Sequence, residues 1–110
     1  MTKRKCIKIK ELPLPVDRVL VFPKTVLLFH DKARRDLHII SCPYLHNIYG
    51  YGKNKDLAMV DFKWRVAQHY YDMLSVLNCL NNTDKYWPAA INSAKEFIRL
   101  FEIKQENKNA

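Results

Sequence analysis

The sequence predicts an α+β domain in which strands come first and helices follow. Short segments of alternating or β-branched apolar residues fill residues 6–52. After residue 54, apolar residues recur every three or four positions, which is the period of an amphipathic helix, and a second helical pattern follows near the C-terminus. A chain of 110 residues with 48% apolar residues suffices for one sheet with one or two helices packed on it. We therefore expect residues 1–110 to form a single domain.

The strand-like segments of the first half are separated by prolines. The segment CIKIKEL alternates apolar and cationic side chains, which is typical of a half-buried or edge strand. Pro13 and Pro15 then make residues 13–17 a connector. RVLVF is expected to end at Pro23, and TVLLFHD follows it as a strand that turns at DKARRD into LHIISC. After Pro43 the short run NIYGYG is the last predicted strand.

The only two glycines, Gly50 and Gly52, raise the question of a phosphate-binding loop. A dinucleotide-binding loop would need a third glycine at the position of Lys55. A P-loop would need serine or threonine after Lys53, where this chain has Asn54. We therefore expect the two glycines to provide backbone freedom where a strand turns into a helix.

A long helix is predicted to begin after Asn54, whose side chain suits an N-cap and is followed by Asp56 near the positive end of the helix dipole. One apolar stripe consists of Met59, Phe62, Val66, Tyr70, Met73, Leu77 and Leu80. A second stripe consists of Val60, Trp64, Ala67, Tyr71 and Leu74. Packing on one sheet uses a single stripe, so the second stripe predicts another cover, either the C-terminal helix or another subunit. Trp64, Tyr71 and Leu74 are the residues expected at a partner or dimer interface.

A second helix is predicted after the turn-prone segment NNTD. Pro88 fits the first turn of this helix, because the missing backbone donor of proline is harmless there. The apolar spacing predicts one helix over residues 84–104. Residues 105–110 are polar and are expected to fray.

The positive charge of the chain is concentrated at its start. The formal net charge is +8, and five of the 19 Lys and Arg residues lie within the first ten positions, where there is no acid. This segment is either an arm that neutralises phosphates or an edge strand that its lysines protect from aggregation. The cations that would contact nucleic acid are Lys3, Arg4, Lys5, Lys8 and Lys10, with Arg34 and Arg35 extending the patch.

The chemistry-bearing residues do not form a catalytic or metal-binding pattern. His30 and His38 lie on the two arms of the predicted hairpin and are placed to face each other. His38, Cys42 and His46 have a suggestive spacing for zinc, but in a strand interrupted by proline they do not converge and lack a fourth ligand. A buried, inert thiol is expected at Cys79. We therefore expect no metal, no cofactor and no enzymatic activity; an enzyme acting through the histidine pair or Cys42 is the remaining alternative.

Targeting signals are not expected in this sequence. No apolar run approaches the roughly 20 residues of a membrane span, and the start MTKRKCIKIK lacks the apolar stretch of a signal peptide. The three cysteines, Cys6, Cys42 and Cys79, are widely spread, which suits reduced thiols. We therefore expect a cytoplasmic protein.

Residues 25–74 combine a hairpin, a bend with Pro43 and Leu45, a strand that ends in glycine, and a capped helix with Asp56 and Ala58 in its first turn. This order resembles the HicB-like antitoxin domain. The resemblance implies a small, mostly antiparallel sheet of three to four strands with the long helix across one face, a partial ribonuclease-H-like fold. It also implies a non-enzymatic role as a homodimer that docks to a partner protein, commonly a small RNA-cleaving toxin. The alternative function is that of a basic nucleic-acid-binding accessory protein.

Overall fold

The computed structural model describes residues 4–15, 17–78 and 88–105 and confirms the α+β class, with an antiparallel sheet, one long helix and a second helix. The strands are β1 (Arg4–Pro13), β2 (Arg18–Arg34), β3 (Leu37–Cys42), β4 (Ile48–Gly52) and β5 (Glu102–Gln105). The helices are α1 (Lys55–Asn78) and α2 (Pro88–Ile98), and a 3-10 turn covers Pro43–Leu45.

The sheet is antiparallel throughout and is organised around the long strand β2. Its order is β1, β2, β3, β4, and β5 pairs with the first residues of β2. Strand β2 has 17 residues, so it can pair with β1 on one side and with both β5 and β3 on the other. Strand β1 is an edge of the sheet. The basic residues from Arg4 to Lys10 therefore lie in this edge strand.

The expectation that a strand ends at Pro23 is wrong, because β2 runs through this proline. The register of β1 on β2 moves from Ile9 opposite Val26 to Glu11 opposite Val21, which leaves a bulge around Pro23. On the other side of β2, the pairing with β5 stops at Val21 and the pairing with β3 has not yet begun. The missing backbone donor of Pro23 therefore interrupts no strand pairing.

Helix α1 begins as the sequence predicts. The Asn54 side-chain oxygen accepts a hydrogen bond from the Leu57 amide at 2.9 Å, and the Asn54 carbonyl accepts one from the Ala58 amide at 3.0 Å. In the first predicted stripe, Phe62 and Val66 are fully buried against the sheet. The last member of that stripe, Leu80, lies outside the described residues.

The two glycines serve close packing and not backbone freedom, which corrects the sequence-based expectation. Neither Gly50 nor Gly52 has a positive φ angle. A Cβ atom at Gly50 would lie 2.4 Å from the backbone nitrogen of Phe62, and one at Gly52 would lie 2.3 Å from that of Ala58. Real Cβ atoms do not approach backbone this closely. Strand β4 therefore meets the first turns of α1 backbone to backbone, and only glycine fits there.

The C-terminal segment is shorter as a helix than predicted. Helix α2 ends at Ile98 instead of continuing to residue 104, and residues 102–105 form β5. The beginning of β2 offers an edge from Arg18 to Val21 that β3 does not use, and the four residues of β5 pair with it. Phe101, which connects α2 to β5, is buried and contacts Phe22, Tyr70 and Phe97. Residues 84–87 of the predicted helix and residues 106–110 of the predicted tail lie outside the described residues.

The core lies on one face of the sheet, beneath the helices. Alternate residues of β2, including Leu20, Phe22 and Leu28, are buried on this face and pack with Ile40 and Phe62. The intervening residues point to the opposite face, because successive side chains of a strand alternate. The strand register places the following residues together on that opposite face, here called the open sheet face: Arg4, Cys6, Lys8, Leu27, Phe29, Asp31, Ile39, Ser41, Tyr49 and Tyr51.

Candidate functional site

The side of α1 turned away from the sheet carries four exposed apolar or aromatic residues. Leu57, Val60, Trp64 and Tyr71 lie there, and we call these four residues the outer face of α1. Trp64, at the middle of this surface, is 53% exposed. In the described part of the chain no element covers the outer face, and α2 packs elsewhere on α1, where Phe97 contacts His69. An uncovered tryptophan within an apolar helix face is typical of an interaction surface.

The second predicted stripe is only partly exposed. Trp64 and Tyr71 are exposed as expected, whereas Ala67 is buried and Leu74 is half-buried against the margin of the core. Ala67 and Leu74 thus belong to the core and its margin and not to the exposed side of the helix. Leu57 was missed by the sequence reasoning, although it lies three residues before Val60 and so continues the same spacing.

Helix α1 is electrically balanced. It carries Lys55, Lys63 and Arg65 against Asp56, Asp61 and Asp72. The Asp61 carboxylate accepts a hydrogen bond from the Arg65 guanidinium at 2.8 Å and one from the Tyr51 amide at 2.8 Å. These contacts lower the pKa of Asp61 although its partial burial acts in the opposite direction. Asp61 thus accepts from a backbone N–H group on the free edge of β4, and this discourages another strand from pairing there.

The cations predicted to contact nucleic acid do not form one patch. Arg4 and Lys8 lie on the open sheet face, whereas Lys5 pairs with buried His30 and points to the other face. Lys10 lies on β1 opposite the bulge of β2. Arg34 ends β2, Arg35 lies in the turn after it, and Lys3 lies outside the described residues.

The histidine pair predicted across the hairpin is confirmed. His30 Nε2 lies 2.8 Å from His38 Nδ1, and the two rings are stacked with centroids 5.0 Å apart. His30 is buried, and its Nδ1 atom has no hydrogen-bond partner among the described residues. Burial first, and then the charge of His38, lowers the pKa of His30, with Lys55 and Lys5 acting in the same direction and Asp31 against them. His30 is therefore favoured in its neutral form.

Cys42 is buried and forms no metal-binding group with His38 and His46, the other described residues whose spacing suggested zinc. Cys42 is fully buried, and burial raises the pKa of its thiol, which disfavours the nucleophilic thiolate. Among the described residues, no group of three or more His, Cys, Asp or Glu side chains is close enough to hold a metal ion. Cys79 lies outside the described residues.

A second histidine pair was not anticipated from the sequence. His46 and His69 lie with ring centroids 5.9 Å apart, and both rings make T-shaped contacts with buried Phe97. Burial first, and then the charge of His46, lowers the pKa of His69, whereas Asp72 acts to raise it. The two histidines come from the β3–β4 connection and from α1, so only the tertiary structure brings them together.

No protein-family model, no curated protein and no solved structure matches this chain. The resemblance to HicB-like antitoxins therefore stays a prediction. Among the helices of the described residues, none is long and apolar enough to span a membrane.

Proposed function

We propose that this protein is a non-enzymatic protein-binding module that forms a homodimer through the outer face of α1. The observation that supports this proposal is the exposure of Trp64 at the centre of an apolar helix surface. Tryptophan is the residue type most often found at the energetic centre of protein interfaces. The resemblance to HicB-like antitoxins suggests a small toxin as the further partner of the dimer.

The spacing of the apolar residues favours a helix as the surface that covers α1. The exposed positions 57, 60, 64 and 71 are separated by steps of three, four and seven, and all four are apolar or aromatic. This 3.5-residue period is that of the seam between two packed helices. The segment from Leu57 to Tyr71 extends over about 20 Å, or roughly four turns, which is a length typical of helix pairs.

Charge favours a second copy of the chain as the occupant. Two copies of a protein with net charge +8 repel each other unless their contact surface is balanced. Helix α1 has equal numbers of acidic and basic residues, and it packs on β3 and β4. The cation-rich strand β1 lies at the opposite edge of the sheet. A two-fold contact between α1 helices therefore keeps the most basic parts of both copies apart.

Sedimentation equilibrium of the full chain tests this proposal. The wild-type protein, with a protomer mass of 13.1 kDa, is expected to sediment as a dimer. Trp64→Glu is expected to weaken dimerisation by about 30-fold or more, because central tryptophans contribute at least about 2 kcal/mol. Leu27→Glu is a matched control, since Leu27 is also exposed but lies on the open sheet face. A monomeric wild-type protein at 100 µM, or a Trp64→Glu variant that dimerises normally, would contradict the proposal.

A further inference from the structure

The open sheet face combines aromatic rings with cations. Tyr49 and Tyr51 are 45% and 43% exposed on strand β4. Their register partners on β3 are Ser41 and Ile39, and Phe29 lies opposite Ser41 on β2. Three aromatic side chains, one from β2 and two from β4, thus lie on the same side of the sheet, with β3 between these strands. We propose that this face binds single-stranded nucleic acid, with the bases stacked on these rings.

Cations are already placed next to the rings. The Arg4 guanidinium lies 4.8 Å from the centre of the Phe29 ring and is bonded to Asp31 at 2.9 and 3.1 Å. At the edge of the sheet, the Arg65 guanidinium lies 5.5 Å from the centre of the Tyr51 ring. Aromatic platforms flanked by basic side chains are the arrangement that binds single strands without strong sequence preference, because every base has a π-face and every nucleotide a phosphate.

An apolar cleft continues the platform toward one end. Its volume is about 390 Å³, and Leu27, Phe29 and Tyr44 are among the residues that line it. Lys24 also lines the cleft, with its ammonium 5.6 Å from the centre of the Tyr44 ring. Lys8 pairs with Leu27 across β1 and β2, so it stands beside the same cleft. The cleft therefore offers apolar contact for a base and two cations for the flanking phosphates.

Two unpaired cations on this face favour a polyanion over a protein partner. The cations around the rings and the cleft are Arg4, Lys8 and Lys24, with Asp31 as the acid among them, and the register places two further acids, Glu11 and Glu102, on the same side of the sheet beside Val21. Asp31 is bonded to Arg4, whereas Lys8 and Lys24 have no carboxylate partner in the described part of the chain. A single strand fits better than a duplex, because bases must be unstacked before they can lie on aromatic side chains.

Fluorescence anisotropy with labelled 12-nucleotide strands of uridine RNA and thymidine DNA, and with a 12-base-pair duplex, tests the proposal. Both single strands are expected to bind more tightly than the duplex, and a preference between them shows whether the 2′-hydroxyl is recognised. If Arg4, Lys8 and Lys24 each contact one phosphate, the logarithm of the association constant should fall with the logarithm of the salt concentration at a slope of about −2. Lys8→Gln and Lys24→Gln should each reduce this slope by about 0.7.

Substitutions of the rings separate stacking from charge. Tyr49→Ala and Tyr51→Ala are each expected to weaken binding roughly 5- to 150-fold, the range measured for one stacked base, whereas Tyr→Phe at either position retains it. Tyr71→Ala is the matched control: a tyrosine of similar exposure, it lies on the outer face of α1 and should affect dimerisation but not binding of the strand. The absence of saturable binding, a preference for the duplex, or alanine variants that bind like the wild type would overturn the proposal.

Discussion

The substitution Gly50→Ala distinguishes the two physical roles that this glycine could have. If the glycine served backbone freedom alone, alanine would be tolerated, because φ is not positive at this position. Alanine would then stabilise the protein by about 0.4–1 kcal/mol, since it restricts the unfolded chain. The structure predicts the opposite sign. The new Cβ would lie 2.4 to 2.5 Å from the N, Cα and Cβ atoms of Phe62, so β4 and α1 would have to move apart.

The magnitude follows from the cost of overpacking. Forcing an extra carbon into a well-packed contact costs typically about 1–3 kcal/mol. For a domain of this size, each kcal/mol corresponds to a shift in the melting temperature of about 4 °C. We therefore expect Gly50→Ala to lower the melting temperature by roughly 4–12 °C.

Thermal and urea unfolding followed by circular dichroism measure this effect. Tyr49→Ala serves as the control, because its side chain is on the opposite face of the same strand and is exposed, so its effect should be smaller. A Gly50→Ala variant as stable as the wild type, or more stable, would refute the backbone contact between β4 and α1.

Three further results are expected. Asn54→Ala should lower the free energy of unfolding by about 1 kcal/mol in urea titrations, because the Leu57 amide loses its cap, and Asn54→Asp should retain the stability. Folding lowers the pKa of His30 below its ordinary value of 6.5. The free energy of unfolding is therefore unaffected by this residue well above that pH and decreases as the pH falls, because the unfolded chain then binds the proton more readily than the folded one. The urea midpoint of the wild type should therefore drop between about pH 7.5 and 5, and His30→Leu should lose part of that drop; equal pH dependence in both proteins would contradict this. Iodoacetamide followed by peptide mass spectrometry should label exposed Cys6 readily and buried Cys42 only after unfolding.

The local features of the fold were readable from the sequence. Three such features depend only on neighbouring residues or on one hairpin. They are the cap at Asn54, the buried stripe through Phe62 and Val66, and the contact between His30 and His38. The apolar surplus of α1 also predicted Trp64 as an interface residue, and its exposure agrees with that role while leaving the partner a proposal.

The errors occurred where distant segments decide the local structure. Pro23 lies inside a strand because a bulge in β2 and the gap between β5 and β3 leave its position unpaired. Residues 102–105 form a strand because the start of β2 provides a free edge, although their own spacing also suits a helix. The open sheet face is assembled from four strands, so no single segment shows the combination of rings and cations.

By itself, the sequence determined the order of strands and helices, the start of α1 and the apolar surplus on that helix, because these follow from residue periodicity and local capping. Only the tertiary structure decided that Gly50 and Gly52 are contact points between backbones and that β5 completes the sheet. It also decided which cations share a face with the aromatic residues. The physical reason is that steric contact and strand register are properties of pairs of segments, and the partner of a segment is not encoded within the segment itself.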